Sequence, residues 1–221
     1  MKWGIPSMSA SKIMTAVGKS TSEKLPANPA YVLIADDEHL AASGLSEHLR
    51  EIGYEVVGPA ADGTQAIELC RLHQPDMAML DIRMPNTDGL QAAENIFHEL
   101  AIPVMIFSAY SDKQYIEQSN RLGVFGYLIK PITREQLRVS VSVAWGRYLD
   151  YVQQNNEIET LRKRLEDRKT IEKAKWIVVK RKQISEPEAM RTLQQQARNN
   201  RKPLVEVARS ILENEELFGN T

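Results

Sequence analysis

Five residues with chemically useful side chains stand just beyond short apolar runs. Asp36 and Asp37 follow Tyr31–Ala35, and Asp81 follows Met77–Leu80. Ser108 follows Pro103–Phe107, and Lys130 follows Gly126–Ile129. Carboxylates brought together repel one another and favour a hard cation with oxygen ligands, such as Mg2+. That ion can neutralise a phosphoryl group in transfer. Asp81 could then attack phosphorus as a carboxylate nucleophile. The Lys130 ammonium could pair with phosphoryl oxygens, and the Ser108 hydroxyl could donate to one. Taken singly, each residue is an ordinary turn former at a strand end. The ordered set, closed by Lys130-Pro131, argues instead for one shared polar site.

Parallel strands are the means of bringing such ends together. Five apolar runs alternate with helical patterns: Tyr31–Ala35, Glu55–Gly58, Met77–Leu80, Pro103–Phe107 and Gly126–Ile129 as strands, and Leu40–Ile52, Gly63–His73, Gly89–Leu100 and Asp112–Leu122 as helices. A fifth helix begins after Thr133, which with Gln136 forms a capping box. The alternation predicts an α/β fold with a five-stranded, doubly wound parallel sheet covered on both faces. Chemistry in such sheets collects beyond the carboxyl ends of the strands, where the polar residues fall.

The text Asp36-Asp37, Asp81-Ile82-Arg83-Met84-Pro85, Asp88-Gly89, Ser108-Ala109 and Lys130-Pro131 resembles the receiver domain of two-component response regulators. The resemblance spans about residues 30–146. It implies that Asp81 is the phospho-acceptor and that Asp36, Asp37, Asp81 and the backbone carbonyl of Arg83 hold Mg2+. It also implies that Ser108 is the switch hydroxyl and Tyr127 the aromatic switch. A histidine kinase would be the donor. The acyl phosphate would be a regulatory state, so the chain is not expected to be a turnover enzyme. Pro131 is a candidate for a cis bond.

From Thr133 to about Lys182 the chain contains no Pro, and its only Gly is Gly146. Apolar residues recur there at helical spacing, which predicts one long helix or two nearly continuous ones. Tyr148, Tyr151, Asn155, Ile158, Arg162 and Leu165 trace an imperfect three-four seam. Asn155 could fix register in a short coiled coil. A parallel homodimer through 148–165 and packing back on the first domain are both open; dimerisation is preferred. The helix would carry the signal onward.

Beyond it, Ser185-Glu186-Pro187-Glu188 is a strong helix start, and Pro203 can open a further helix. The sequence from Ala174-Lys175 through Ile184–Ala189, Leu193, Ala197, Arg201 and Leu204–Ala208 to Ile211 resembles an ANTAR domain, the RNA-binding antitermination module. Trp176 stands where that family usually has Gly. The resemblance implies binding to RNA hairpins in nascent transcripts. Lys175, Arg198, Arg201 and Lys202 are the preferred backbone contacts, Lys180, Arg181 and Lys182 a second basic patch, and Trp176 a candidate stacking residue. The predicted order is a flexible extension at 1–29, a receiver domain at 30–146, a helical coiled-coil linker at 147–170 and a three-helix output domain at 171–217.

Charge follows the same division. Residues 1–146 carry 12 Lys/Arg against 17 Asp/Glu, while 147–221 carry 16 against 12. Within 168–202 there are 11 basic and 3 acidic residues, a density that can attract a polyanion. A chain of 221 residues has room for two modest domains. Its lone cysteine, Cys70, cannot form an internal disulfide, in keeping with a reducing, cytoplasmic setting. No run of 18 apolar residues is present, so a membrane partner is not expected. The reading is a phosphorylation-controlled transcription antiterminator. The alternative is a receiver protein whose helical tail mediates protein–protein interaction or assembly.

Overall fold

A computed structural model describes residues 28–109 and 122–218. The expected N-terminal extension, including a short helix near Ala10–Val17, and most of the expected helix over Asp112–Leu122 lie outside the described residues. The chain divides into two compact units, Met1–Asn156 and Glu157–Thr221.

In the first unit, β1 (Tyr31–Ala35), α1 (His39–Glu51), β2 (Glu55–Ala60), α2 (Gly63–His73), β3 (Met77–Asp81), α3 (Gly89–Leu100), β4 (Val104–Ser108) and β5 (Val124–Ile129) follow in order, and α4 (Arg134–Lys182) begins. The sheet has the order β2-β1-β3-β4-β5, with every neighbouring pair parallel. It is the doubly wound α/β fold the alternation predicts. The second strand runs on to Ala60, beyond the expected Gly58, because its ladder resumes at Ala35↔Ala60 after an irregularity. The Gly58–Pro59 and Lys130–Pro131 peptide bonds are cis.

Alternation along the strands sorts the core into two layers. Val32, Ile34, Met77, Met79, Met105 and Phe107 pack with α1 and the first part of α4. Leu33, Ala35, Ala78, Leu80, Val104 and Ile106 pack with α2 and α3. One irregularity breaks the period. The β4–β5 register steps from Val104↔Val124 to Met105↔Gly126. The extra residue on β5 lets Phe125 and Leu128 join the same layer despite their odd separation. Phe125 thereby meets Phe97, Tyr148 and Tyr151 edge-on.

That aromatic cluster corrects the seam read from the sequence. Trp145 and Tyr148 are fully buried in the first unit's core, and Tyr151 packs against it. Asn155 is buried too, and its Nδ2 makes no hydrogen bond among the described residues. These positions serve the chain's own core because β4 and β5 supply aromatic partners that a helical-period reading of one segment cannot see. Of the seam's apolar residues, Ile158 and Leu165 are exposed, and Leu161, outside the seam as read, is exposed beside them.

The second unit holds the end of α4, then α5 (Glu186–Asn200) and α6 (Leu204–Phe218). Ser185 and Glu188 form the expected capping box at the start of α5. Arg201, in the left-handed region at φ 52°, ends it. Val178, Ala189, Leu193, Ala197 and Val207 make one small core.

Candidate phosphoryl-acceptor site and basic output surface

Register brings the first group of residues together. β1 and β3 are paired through Ala35↔Leu80, so Asp36 and Asp81 emerge side by side at the same level. Asp81 is opposite Phe107, and Ser108 is opposite Ile129, the residue before Lys130. Lys130 Nζ lies 2.8 Å from Asp36 Oδ2 and 2.9 Å from Asp81 Oδ1. It also stands 5.1 Å above the Phe107 ring. The Lys130 backbone N–H donates to the Ser108 carbonyl at 2.9 Å, fixing the last residue of β4 to the residue after β5.

The remaining carboxylate oxygens have backbone partners. Glu38 N–H donates to Asp36 Oδ1 at 2.9 Å, and Arg83 N–H to Asp81 Oδ2 at 2.7 Å. Asp36, Asp81 and Ser108 are buried; Asp37 and Arg83 are exposed. Tyr127 is half-buried beside the α2–α3 layer. Burial pushes the Asp81 carboxyl above the usual range, against the pull of Lys130 and the Arg83 N–H. For Lys130, burial alone would lower the pKa; hydrogen bonds to Asp36 and Asp81 outweigh it and leave the ammonium above its usual value.

Among the described residues, no three His, Cys, Asp or Glu side chains gather closely enough to hold a metal. Asp36 and Asp81 come together, whereas Asp37 stands out toward solvent.

Two contributors were not singled out from the sequence. The Arg83 N–H is one; its signal was the turn text after Asp81. Gly89 is the other: a Cβ there would lie 1.8 Å from the Asp81 carbonyl oxygen. Its signal was the Asp88-Gly89 pair, in which Asp88 caps α3 by accepting from Gln91 N–H at 2.8 Å. A recess of about 270 Å³ adjoins the site, lined in part by Asp36, Leu40, Gly44, His48, Phe107 and Lys130.

In the second unit, Arg198, Arg201 and Lys202 are exposed at the α5–α6 turn and make no ion pair with a described residue. Lys180 and Lys182 are likewise exposed. Arg181 pairs with Glu215 of α6. Trp176 is 49% exposed. Lys175 departs from the expected open contact. Its side chain is only 12% exposed, and its Nζ sits 2.6 Å from Glu172 and 3.0 Å from Glu186. Those two carboxylates hold its pKa up and neutralise it locally. The ammonium ties α4 to the first residue of α5.

Residues 32–142 match the family model of the response regulator receiver domain, and residues 159–212 that of the ANTAR domain. The chain belongs to the response regulators that join these two domains. This regulator is 37% identical over 193 residues to the transcriptional regulatory protein PdtaR of Mycobacterium tuberculosis, covering 87% of this chain and 94% of that one. The solved receiver domain of NarL from M. tuberculosis superposes with a TM-score of 0.50 at 34% identity, covering 54% of this chain and 98% of that one. A CheY solved with CheX, BeF3 and Mg from Borrelia burgdorferi gives 0.51 at 27% identity, covering 53% and 90%. The regulator thus couples a receiver domain for phosphoaspartate signalling to an RNA-binding, antitermination domain. Its architecture implies a cognate histidine kinase and RNA hairpins as partners. Among the described residues, no helix is long and apolar enough to cross a membrane.

Proposed function

We propose that the regulator receives a phosphoryl group on Asp81 and, in that state, binds RNA hairpins of nascent transcripts to prevent termination. The observation that carries the reading is the Lys130 ammonium set between Asp36 and Asp81 at 2.8 and 2.9 Å. It sets a fixed positive charge beside a buried nucleophile. In the transfer, an Asp81 oxygen bonds to phosphorus and the bond from phosphorus to the kinase histidine nitrogen breaks. The electron pair of that bond leaves with the imidazole. Lys130 then pairs with the phosphoryl oxygens, and Ser108 donates its hydroxyl to one of them. Tyr127 follows Ser108 as the aromatic member of the switch.

The donor types suit a hard divalent cation. Asp36 and Asp81 lie level on adjacent strands, Asp37 is next in the chain, and the Arg83 carbonyl follows two residues after Asp81. These four would hold Mg2+, which when bound offsets the charge of the phosphoryl oxygens. A related receiver solved with BeF3 and Mg supports a divalent cation as this domain's cofactor.

The output contacts are Arg198, Arg201 and Lys202 at the α5–α6 turn, with Lys180, Arg181, Lys182 and Trp176 on α4. Lys175 supports the surface from beneath. The exposed Ile158, Leu161 and Leu165 form the dimer seam, shorter than the 148–165 stretch expected from sequence. The cytoplasm, where transcripts and kinase output meet, is the setting.

The test is RNA capture from host lysate with the full chain, with and without beryllofluoride, followed by sequencing. Enrichment of hairpins near terminators, stronger with beryllofluoride and lost in Asp81→Asn, is the expected result. Equal capture in both states would remove receiver control, and no specific RNA would remove the output reading.

A further inference from the structure

Trp176 leaves 49% of a large indole in water. Helical spacing puts Lys173 one turn before it and Lys180 one turn after it on the same face of α4. Both lysines are exposed. Neither forms an ion pair with a described carboxylate, whereas neighbouring cations do: Lys169 with Glu166 at 2.8 Å, Lys175 with Glu172 and Glu186, and Arg181 with Glu215. Lys173 and Lys180 thus flank the indole with positive charge outside any close ion pair, with Lys173 also acting on Glu166 through space.

A flat aromatic face between two exposed ammonium groups complements a nucleotide. Its base can stack on the ring while the phosphates on either side meet the cations. A rigid paired stem would offer phosphates but no open base face. We infer that Trp176 is a stacking platform for one unpaired base of an RNA hairpin loop. Lys173 and Lys180 hold the flanking phosphates. Lys175, in the same stretch, braces α4 against α5 and makes no RNA contact. The inference rests on the RNA-binding reading of this domain and assigns it a loop-reading position.

The probe is a pool of RNA hairpins with a fixed stem and a randomised loop, presented to the full-length chain with beryllofluoride and Mg2+. Trp176→Ala is expected to weaken binding about 5- to 150-fold, the range of one base stack. Trp176→Phe should retain most of the affinity. Lys173→Gln and Lys180→Gln should each lower the slope of log affinity against log salt by about 1. Lys175→Met should leave that slope unchanged. Indole emission should fall on binding in the wild type but not in Trp176→Phe, and an abasic site at one loop position should abolish the fall.

Wild-type affinity in Trp176→Ala, or full affinity for an all-abasic loop, would overturn the stacking role while RNA binding stood. Failure of the wild type to retain any hairpin in either state would overturn the RNA reading itself. Loss of self-association in Trp176→Ala with unchanged RNA affinity would assign the indole to a second copy of the chain. Should Trp176→Ala melt early, Trp176→Phe and the abasic loops still decide the matter.

Discussion

The Tyr148 hydroxyl donates to the Ala101 carbonyl at 2.8 Å, in the buried core. Ala101 is the left-handed residue, φ 56°, that ends α3. One hydrogen bond thus joins α4 to the turn that feeds β4. Tyr148→Phe keeps the ring contacts with Phe125 and Trp145 and removes the donor. It should cost about 1–3 kcal/mol, the penalty of leaving a buried carbonyl unpaired. Urea unfolding monitored by circular dichroism reads the loss; an unchanged midpoint would show that water replaces the hydroxyl.

Asp81 binds its proton more readily in the folded chain than an exposed carboxyl would, because of burial. Its contribution to stability is fully present below the unfolded pKa and is lost as pH rises through the raised folded value. As pH rises across that acidic interval, Asp81→Asn should therefore gain stability relative to the wild type, and the difference should be constant above it. Labelling by a small acyl phosphate should decline, as pH falls, earlier than an exposed carboxylate predicts. Parallel stability curves for the two proteins would contradict the shift.

Gly89 opens α3 with no room for a methyl group, since a Cβ would fall 1.8 Å from the Asp81 carbonyl oxygen. Gly89→Ala must push α3 away from the end of β3. The expected cost is about 3 kcal/mol, together with slower labelling of Asp81. Wild-type melting and labelling in this variant would mean that the backbone yields without cost.

Cys70 is buried on α2, and burial pushes its thiol up to about 12. The native protein should react with an aromatic disulfide reagent only through opening, so the rate should rise steeply in denaturant. Immediate stoichiometric reaction at neutral pH would show that α2 is loosely held.

Leu161 and Leu165 are half exposed or more on α4. Replacing both by Gln should leave the melting of the receiver domain unchanged and weaken self-association at least tenfold by sedimentation. An unaltered sedimentation profile would remove them from any seam.

Much of the receiver fold was legible because its signals are local. Gly63–His73 and Gly89–Leu100 fall where Gly, Asp caps and Pro75 delimit them, and alternation placed the strands. What was misread depends on distant partners. Tyr148 and Tyr151 have the spacing of a helical seam, but Phe97 and Phe125 claim them. Lys175 reads as a free cation until the α4–α5 turn brings Glu186 back to it. The β5 irregularity at Phe125 leaves no mark in a one-dimensional pattern, since either parity is apolar there. Among the carboxylates, order along the chain identified Asp36 and Asp81 as neighbours. It could not say that Lys130 would bridge both while Asp37 faced outward.

The shelter around Asp81, with 6% of its surface open, also has a meaning in time. An acyl phosphate is prone to hydrolysis, so how long it lasts is a matter of how often water finds a line of approach to phosphorus. At a carboxyl closed in by Lys130 and the Arg83 backbone, that frequency would follow how often the surrounding turns open. On the proposed assignment of Asp81 as the acceptor, the residues rimming the cleft would set how long the cell remembers a stimulus, separately from whether the stimulus is heard.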